Sequence, residues 1–378
     1  MSRTIIDVHA IHTVPPSNLN RDDTGSPKNA VYGGVNRARV SSQAWKRAIR
    51  LEFHKDLDTS DLGRRTKQVV DGLAKRIIDL DSTLETESVE LAVAAFKDAG
   101  IKIEAKKNTK DDGSTTVSHE SGYLLFLSNN QYDKLARAVV TAAQAEEKPD
   151  KKQLKTIINS DHSVDIALFG RMVADMSDIN VDASCQVAHA ISVHAVSNEF
   201  DYYTAVDDAK KDAAESGAGM IGTVEFNSST LYRYATVDVD RLHVNLGSEA
   251  ATVRAVKTFV KAFITSMPSG KQNTFANRTL PDAVVVSVRD TQPVNYAAAF
   301  EVAIEAEDKA SRISAAAEAL RRYATDLVDT YDDLAPLQTW VMHVGDTTSA
   351  VAQLGESVTH SRLLSAVEAA VTERVAES

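Results

Sequence analysis

The chain has 378 residues, 43% of them hydrophobic and 25% charged, an ordinary globular composition with room for one large domain or two smaller ones. Its formal charge of −11 excludes nucleic-acid binding by the surface at large, so any such site must be a local cationic patch on an acidic body. The single cysteine, Cys185, permits no intrachain disulfide and fits a reducing, cytoplasmic setting; no apolar run nears the length of a membrane span, and the N-terminus, interrupted by Arg3 and Asp7, does not read as a signal peptide.

Residues 4–13 alternate, with Ile6, Val8 and Ala10 on one side and Asp7 and His9 on the other, which predicts a half-buried strand. Residues 14–36 hold Pro15, Pro16, Pro27, Gly25, Gly33 and Gly34 and read as a long functional loop. Ser41 or Ser42 caps a helix reaching about residue 55, with Trp45, Ile49 and Phe53 as its core stripe. Helical spacing at Val69, Leu73, Ile77 and Leu80 marks 60–100. Polar residues 101–122 predict a short exposed hairpin, and 130–160 a helical stretch broken near Pro149. Residues 60–182 are therefore expected to form a mainly helical insertion.

Beyond it, 183–197 is a candidate core strand, 198–229 has no clear period, and 230–239 alternates as a strand. A helix is expected at about 247–266, a buried strand at 283–289 and a long alanine-rich helix at 295–327. A strand at 336–345 and a final amphipathic helix over 347–375 complete the chain. Strands and helices alternating around a helical insertion fit an α+β, ferredoxin-like (RRM-like) core.

The sharpest local feature is a charge asymmetry. From Thr24 to Leu51 the chain carries Lys28, Arg37, Arg39, Lys46, Arg47 and Arg50 and no aspartate or glutamate. Arg37 and Arg39 share one face of an extended stretch. Lys46 and Arg50 lie one helical turn apart and repel each other unless an anion sits between them. Helix N-terminal amides with Ser41, Ser42 and Gln43 add donors to the same anion, and Gly33 and Gly34 permit close backbone approach to a phosphate. A solvated basic face beside a capped helix is the plainer alternative.

Longer motifs then carry a resemblance. Leu19-Asn20-Arg21-Asp22-Asp23, Gly33-Gly34, Arg37-Ala38-Arg39-Val40-Ser41-Ser42-Gln43 and Lys46-Arg47-Ala48 resemble the N-terminal signature of the CasC backbone family of type I-E CRISPR interference complexes (Cascade). The likeness continues through Val164-Asp165-Ile166-Ala167-Leu168-Phe169-Gly170-Arg171-Met172, Ala188-His189-Ala190-Ile191, Asp201-Tyr202-Tyr203-Thr204-Ala205-Val206-Asp207-Asp208, Gly222-Thr223-Val224-Glu225-Phe226, Leu231-Tyr232-Arg233-Tyr234-Ala235 and Gly270-Lys271-Gln272-Asn273-Thr274.

The resemblance implies an RRM-like palm from 1–59 and 183–378, helical fingers at 60–182 and a thumb loop at 198–229. Several copies would stack along one CRISPR RNA (crRNA) and present it to target DNA. They would do so beside the large subunit, the small subunit, the 5′-handle-binding subunit and the 3′-hairpin endonuclease subunit. Arg21, Lys28, Gln43, Lys46, Arg47 and Arg50 would hold guide phosphates, and Met172 would wedge beside a kinked nucleotide. Tyr202 and Tyr203 would lie near the thumb base; Arg171 and Lys271 join the RNA-binding set through their motifs. A guide of any sequence must be held through phosphates and stacking, with pairing left to read it. The aromatic signature by which RRM sheets stack bases is absent, which places the RNA on the loop and first helix instead.

Other chemistry is poorer. Gly217-Ala218-Gly219-Met220-Ile221-Gly222 lacks the strand and acid of a dinucleotide site, and no Walker pattern occurs. His9 and His12, like His189 and His194, oppose each other on a strand and make poor metal pairs. Cys185 sits among apolar residues and reads as core. No cofactor or metal is expected. The enzymatic alternative is a metal-dependent RNA-cleaving backbone subunit using Asp22 and Asp23; the competing view is that these acids order their own loop. A stand-alone single-strand-binding protein is the third reading.

Overall fold

The computed structural model describes residues 3–109, 115–173, 176–204, 221–305 and 311–376. The chain opens with strands β1 (Ile5–Ser17), β2 (Asn29–Tyr32) and β3 (Val35–Val40) and helix α1 (Ser42–Phe53). Then come β4 (Gly63–Thr66), α2 (Val69–Leu80), α3 (Ser88–Asp98), β5 (Ile103–Thr109), β6 (Thr115–Ser121), β7 (Leu125–Ser128), α4 (Asn129–Gln144), α5 (Lys151–Ile158) and α6 (Val164–Phe169). Next are β8 (Cys185–Val187), β9 (Ala190–Ser192), β10 (Glu199–Thr204), β11 (Ile221–Asp238), α7 (Val239–Leu246), α8 (Glu249–Thr265) and α9 (Gln272–Phe275). The last are β12 (Ala283–Arg289), α10 (Arg312–Thr330), β13 (Gln338–His343), β14 (Glu356–Ser357) and α11 (His360–Ala376). Two compact units result: 1–52 with 185–240 and 256–378, and 53–184 with 241–255. The class is mixed α+β.

The first unit is built on one sheet of order β14-β13-β12-β1-β11-β9-β3-β2, with β8 and β10 also paired to β11. Strand β1 lies antiparallel between β11 and β12, Val8 facing Ala235 on one side and Val286 on the other. The alternation in β1 is real, but the strand is not half-buried: Ile5 through His12 are all inaccessible. Its polar face is covered by Tyr296, Phe300 and the Ala316, Ala317 and Leu320 side of α10, packed on Ile11, Tyr232, Tyr234 and Val285. Asp7 tolerates this because Arg289 Nε (2.8 Å), Tyr234 OH (2.8 Å) and the Val294 amide (3.0 Å) all donate to it. On the opposite face Arg233 of β11 packs between Trp45 of α1 and Phe263 of α8.

Several element expectations change here. The 14–36 segment is only partly loop, because β1 runs to Ser17 and β2 pairs with β3 through a two-residue turn. Gly33 (φ 58°) and Gly34 (φ 78°) supply that turn's positive dihedrals. The expected strand at 183–197 is two short strands. Val187 faces Ala235 but Ile191 faces Tyr232, so the register slips by one residue between them. Strand β11 begins well before residue 230, paired there with β10. The expected helix over 295–327 is a 3-10 turn at Tyr296–Phe300 followed by α10, which Ser311 caps. Arg37 takes the carbonyls of Phe300 and Glu301, which removes them from any continuing helix. The final helix is likewise split. Gly355 comes so close to the Thr339 carbonyl that a Cβ would sit 2.2 Å from it, and β14 then pairs with β13 before α11 begins.

The second unit buries Val69, Leu73, Ile77, Phe96, Tyr132, Leu135 and Leu154 of α2 to α5 in one core. A capping box starts α4: Ser128 Oγ accepts from the Gln131 amide, and Gln131 Oε1 accepts from the Ser128 amide. Asp150 caps α5 after the break at Pro149. Strands β5 and β6 form the expected hairpin, Ile103 facing Ser121. Among the described residues no helix is long and apolar enough to cross a membrane.

Candidate nucleic-acid interface

The loop between β1 and β2 is held by its own side chains. Asp22 Oδ1 accepts from the Thr24 hydroxyl (2.7 Å), the Thr24 amide (2.9 Å) and the Ser26 amide (3.0 Å). The Thr24 hydroxyl, then the backbone amides, hold this exposed carboxyl below the usual carboxylate range. Asn18 Nδ2 donates to the Gly25 and Glu225 carbonyls, and Ser26 Oγ donates to Glu225 Oε1. Asp22 therefore orders its loop through Thr24 and Ser26. Among the described residues no three His, Cys, Asp or Glu side chains converge as a metal group would need.

Asn20 joins this loop to the first helix. Its Oδ1 accepts from the Ser41 amide (2.9 Å) and its carbonyl from the Lys28 amide (2.9 Å). Across β2 and β3, the Arg39 amide donates to the Lys28 carbonyl and Arg39 Nε to the Asn29 carbonyl. The segment carrying Lys271 closes the other side. A Cβ on Gly270 would lie 2.2 Å from the Leu19 carbonyl, an approach only glycine allows. Lys271 itself adopts left-handed backbone (φ 50°). Leu19 to Gly25 and Gly270 line an open depression beside these groups.

Trp45, Ile49 and Phe53 are buried as the helical stripe requires. Gln43 and Arg47 are exposed on the far side, with Ser42, Lys46 and Arg50 half-buried. Arg21, Lys28, Arg39 and Arg47 form no ion pair with any carboxylate among the described residues. Lys46 and Arg50 already interact within the chain. Lys46 lies near enough to Cys185 to act on it electrostatically, although burial dominates and pushes that thiol up to about 12.

Three members of the sequence-derived set are corrected. Arg37 is fully buried, and its guanidinium donates to the carbonyls of Tyr32, Ser192, Phe300 and Glu301; it staples β3 to the 296–301 segment and leaves no access for a phosphate. Arg171, in the second unit, is also buried, donating to the carbonyls of Ile179, Phe126 and Ile158. Ser41 is the N-cap, buried, with Oγ accepting from the Ala44 amide. At Gly33 the turn approaches Glu301: a Cβ there would meet the Glu301 carbonyl at 1.6 Å.

Met172 stands 85% exposed, and Tyr202 and Tyr203 on β10 are exposed too. Tyr203 lies over Gly222, where a Cβ would collide with its ring. Half of the expected thumb, 205–220, falls outside the described residues. Sequence reasoning missed Phe200, 67% exposed and two residues from Tyr202 on the same face of β10. The signal was the apolar-polar alternation of Phe200, Asp201 and Tyr202.

Residues 6–368 match the family model described as CT1975-like protein. A solved chain described as "CRISPR RNA-guided surveillance complex, pre-nicking" aligns with TM-score 0.82 and 35% identity, covering 97% of this chain and 100% of that one. Another, described as "CRISPR RNA-guided surveillance complex", aligns with TM-score 0.73 and 31% identity, covering 97% and 99%. No curated protein matches the chain.

Proposed function

Because the chain belongs to the CT1975-like protein family, we propose that it is the non-catalytic, repeated backbone subunit of a type I-E CRISPR surveillance complex. In this reading several copies hold the crRNA backbone without regard to sequence and present it to target DNA, in the cytoplasm, alongside the other Cascade subunits. One observation carries it. In a chain of net charge −11, Arg21, Lys28 and Arg39 lie on segments that Asn20 and the Lys28–Arg39 backbone bond tie to the start of α1, the helix on which Arg47 is exposed, and none of the four has a carboxylate paired to it among the described residues.

The sheet supports the RRM-like assignment. The order β12-β1-β11-β8/β9, with α1 following β1 and α8 following β11, is what a ferredoxin-like core would require and so favours that reading. Both faces of that sheet are covered, which agrees with phosphate binding from its edge loop rather than base stacking on its surface. Asp22 spends one carboxylate oxygen on three internal donors, which favours loop ordering over metal-dependent cleavage.

The test is native mass spectrometry of the chain co-expressed with a CRISPR RNA and the products of neighbouring genes. Several copies per RNA are expected. A one-to-one complex would favour the stand-alone single-strand binder, and RNA-free protein would end the reading. Incubation of the assembled complex with complementary RNA and Mg²⁺ is expected to leave that RNA intact.

A further inference from the structure

Exposed His189 sits between two strands of the cationic surface. It immediately precedes β9, which pairs with β3 so that Arg39 faces Ile191. Its Nδ1 accepts from Arg39 Nη1 at 3.3 Å, while Arg39 Nε is held by the Asn29 carbonyl at 3.0 Å. The charges acting on the ring, among the described residues, are Arg39 from β3 and Lys28 from the segment before β2, and both are cationic. An imidazole is thus placed with two permanent cations and nothing anionic to balance them.

We propose that Lys28, Arg39 and His189 form one phosphate seat, in which His189 takes up a proton as a nucleic-acid phosphate binds. This inference rests on the RNA-binding reading above and adds to it a further contact residue and a proton.

The chemistry follows from the hydrogen bond. With Nδ1 accepting, the neutral ring carries its proton on Nε2. Protonating Nδ1 turns an acceptor into a second donor and sets it against the Arg39 N–H, which is unfavourable while no anion is present. A phosphate oxygen reverses this. Arg39 Nη1 turns from the ring to the oxygen, Nδ1 binds one proton from solvent, and both groups donate to the phosphate. Burial first, then Arg39 and Lys28, hold the free ring's proton affinity down. A bound anion opposes the last two effects, so free and bound states differ in proton content. By linkage, affinity must then rise as pH falls.

The experiment is a titration of the full chain with a short oligouridylate, whose bases do not ionise near neutrality, at about pH 7.5 and about pH 6. Affinity is expected to rise about three- to tenfold at the lower pH, one proton permitting at most tenfold per unit. In His189→Asn the rise is expected to vanish; His189 is exposed, so the variant should fold. A rise that survives in His189→Asn overturns the inference and leaves the RNA-binding reading standing. Absence of RNA binding at either pH sinks both. Carbon-13 histidine NMR gives an independent measure: the His189 pKa should be higher in the RNA-saturated protein, and an equal or lower value overturns the proton uptake.

Discussion

The Arg233 guanidinium carbon lies 3.7 Å from the centroid of the Trp45 ring, with the Phe263 ring 4.4 Å away. Its Nη1 meets His12 Nδ1 at 3.1 Å, and its Nη2 donates to the Phe263 carbonyl. One side chain of β11 thereby fixes α1 and α8 against the sheet and sets the angle at which the cationic face of α1 is offered. Burial pulls even this guanidinium down to about 9. Arg233→Ala should cost about 3 kcal/mol, roughly 2 from the desolvated ring contact and 1 from the hydrogen bonds. Trp45→Ala should cost about 3–5 kcal/mol. The double variant should fall short of the sum by about 1–2 kcal/mol in urea unfolding, and strict additivity would show that ring and guanidinium do not interact.

The corrected assignment of Arg37 separates from that of Arg39, two residues along the same strand. Arg37→Ala strands four carbonyls, those of Ser192 and Phe300 in buried bonds, and should lower stability by about 3 kcal/mol or more. Arg39→Ala should change stability by less than about 1 kcal/mol. It should lower the salt slope of RNA binding by about 0.7, one phosphate contact on a single strand. Thermal unfolding and binding titrations across salt report both. An unchanged slope in Arg39→Ala would remove it from the interface.

This pair also shows where sequence stopped being informative. The Trp45, Ile49, Phe53 stripe, the strand at 283–289, the hairpin and the break at Pro149 were legible because each rests on near neighbours in the chain. Arg37, Arg171 and Arg233 were not, because the carbonyls and rings that bury them arrive from up to 264 residues away. A long cationic side chain reads the same in sequence whether it ends in solvent or on a buried carbonyl. The charge asymmetry of 24–51 marked the surface proposed here as the interface, while the partition of its members between surface and scaffold needed tertiary contacts.

Acid should destabilise the first unit through β1. His9 and His12 are both pushed down to about 3, by burial first and then by Arg289 and Arg233 respectively. Unfolded, each titrates near about 6.5. Below that value the unfolded chain binds protons the folded chain refuses, so stability is full above about pH 6.5 and falls as pH drops towards about 3. Two such rings make the loss roughly 2–3 kcal/mol per pH unit. Urea midpoints at about pH 7 and about pH 5 measure it, and His12→Gln should lessen the loss by one ring's share, about 1.4 kcal/mol per unit. A flat profile would show that both rings carry charge inside the fold.

The two turn glycines make the sharpest geometric test. Gly33 and Gly34 share positive φ, but they differ in surroundings. A Cβ at Gly33 would strike the Glu301 carbonyl, whereas nothing lies within 4 Å of one at Gly34. Asparagine enters left-handed backbone at modest cost, so Gly34→Asn should lower stability by less than about 1 kcal/mol. Gly33→Asn meets the same dihedral and a backbone oxygen that Arg37 also holds, so it should cost more than about 2 kcal/mol. The comparison isolates the contact from the dihedral. Equal losses in the two variants, read by thermal unfolding, would mean that the β2–β3 turn is not seated on the 296–301 segment and that Arg37 alone makes the connection.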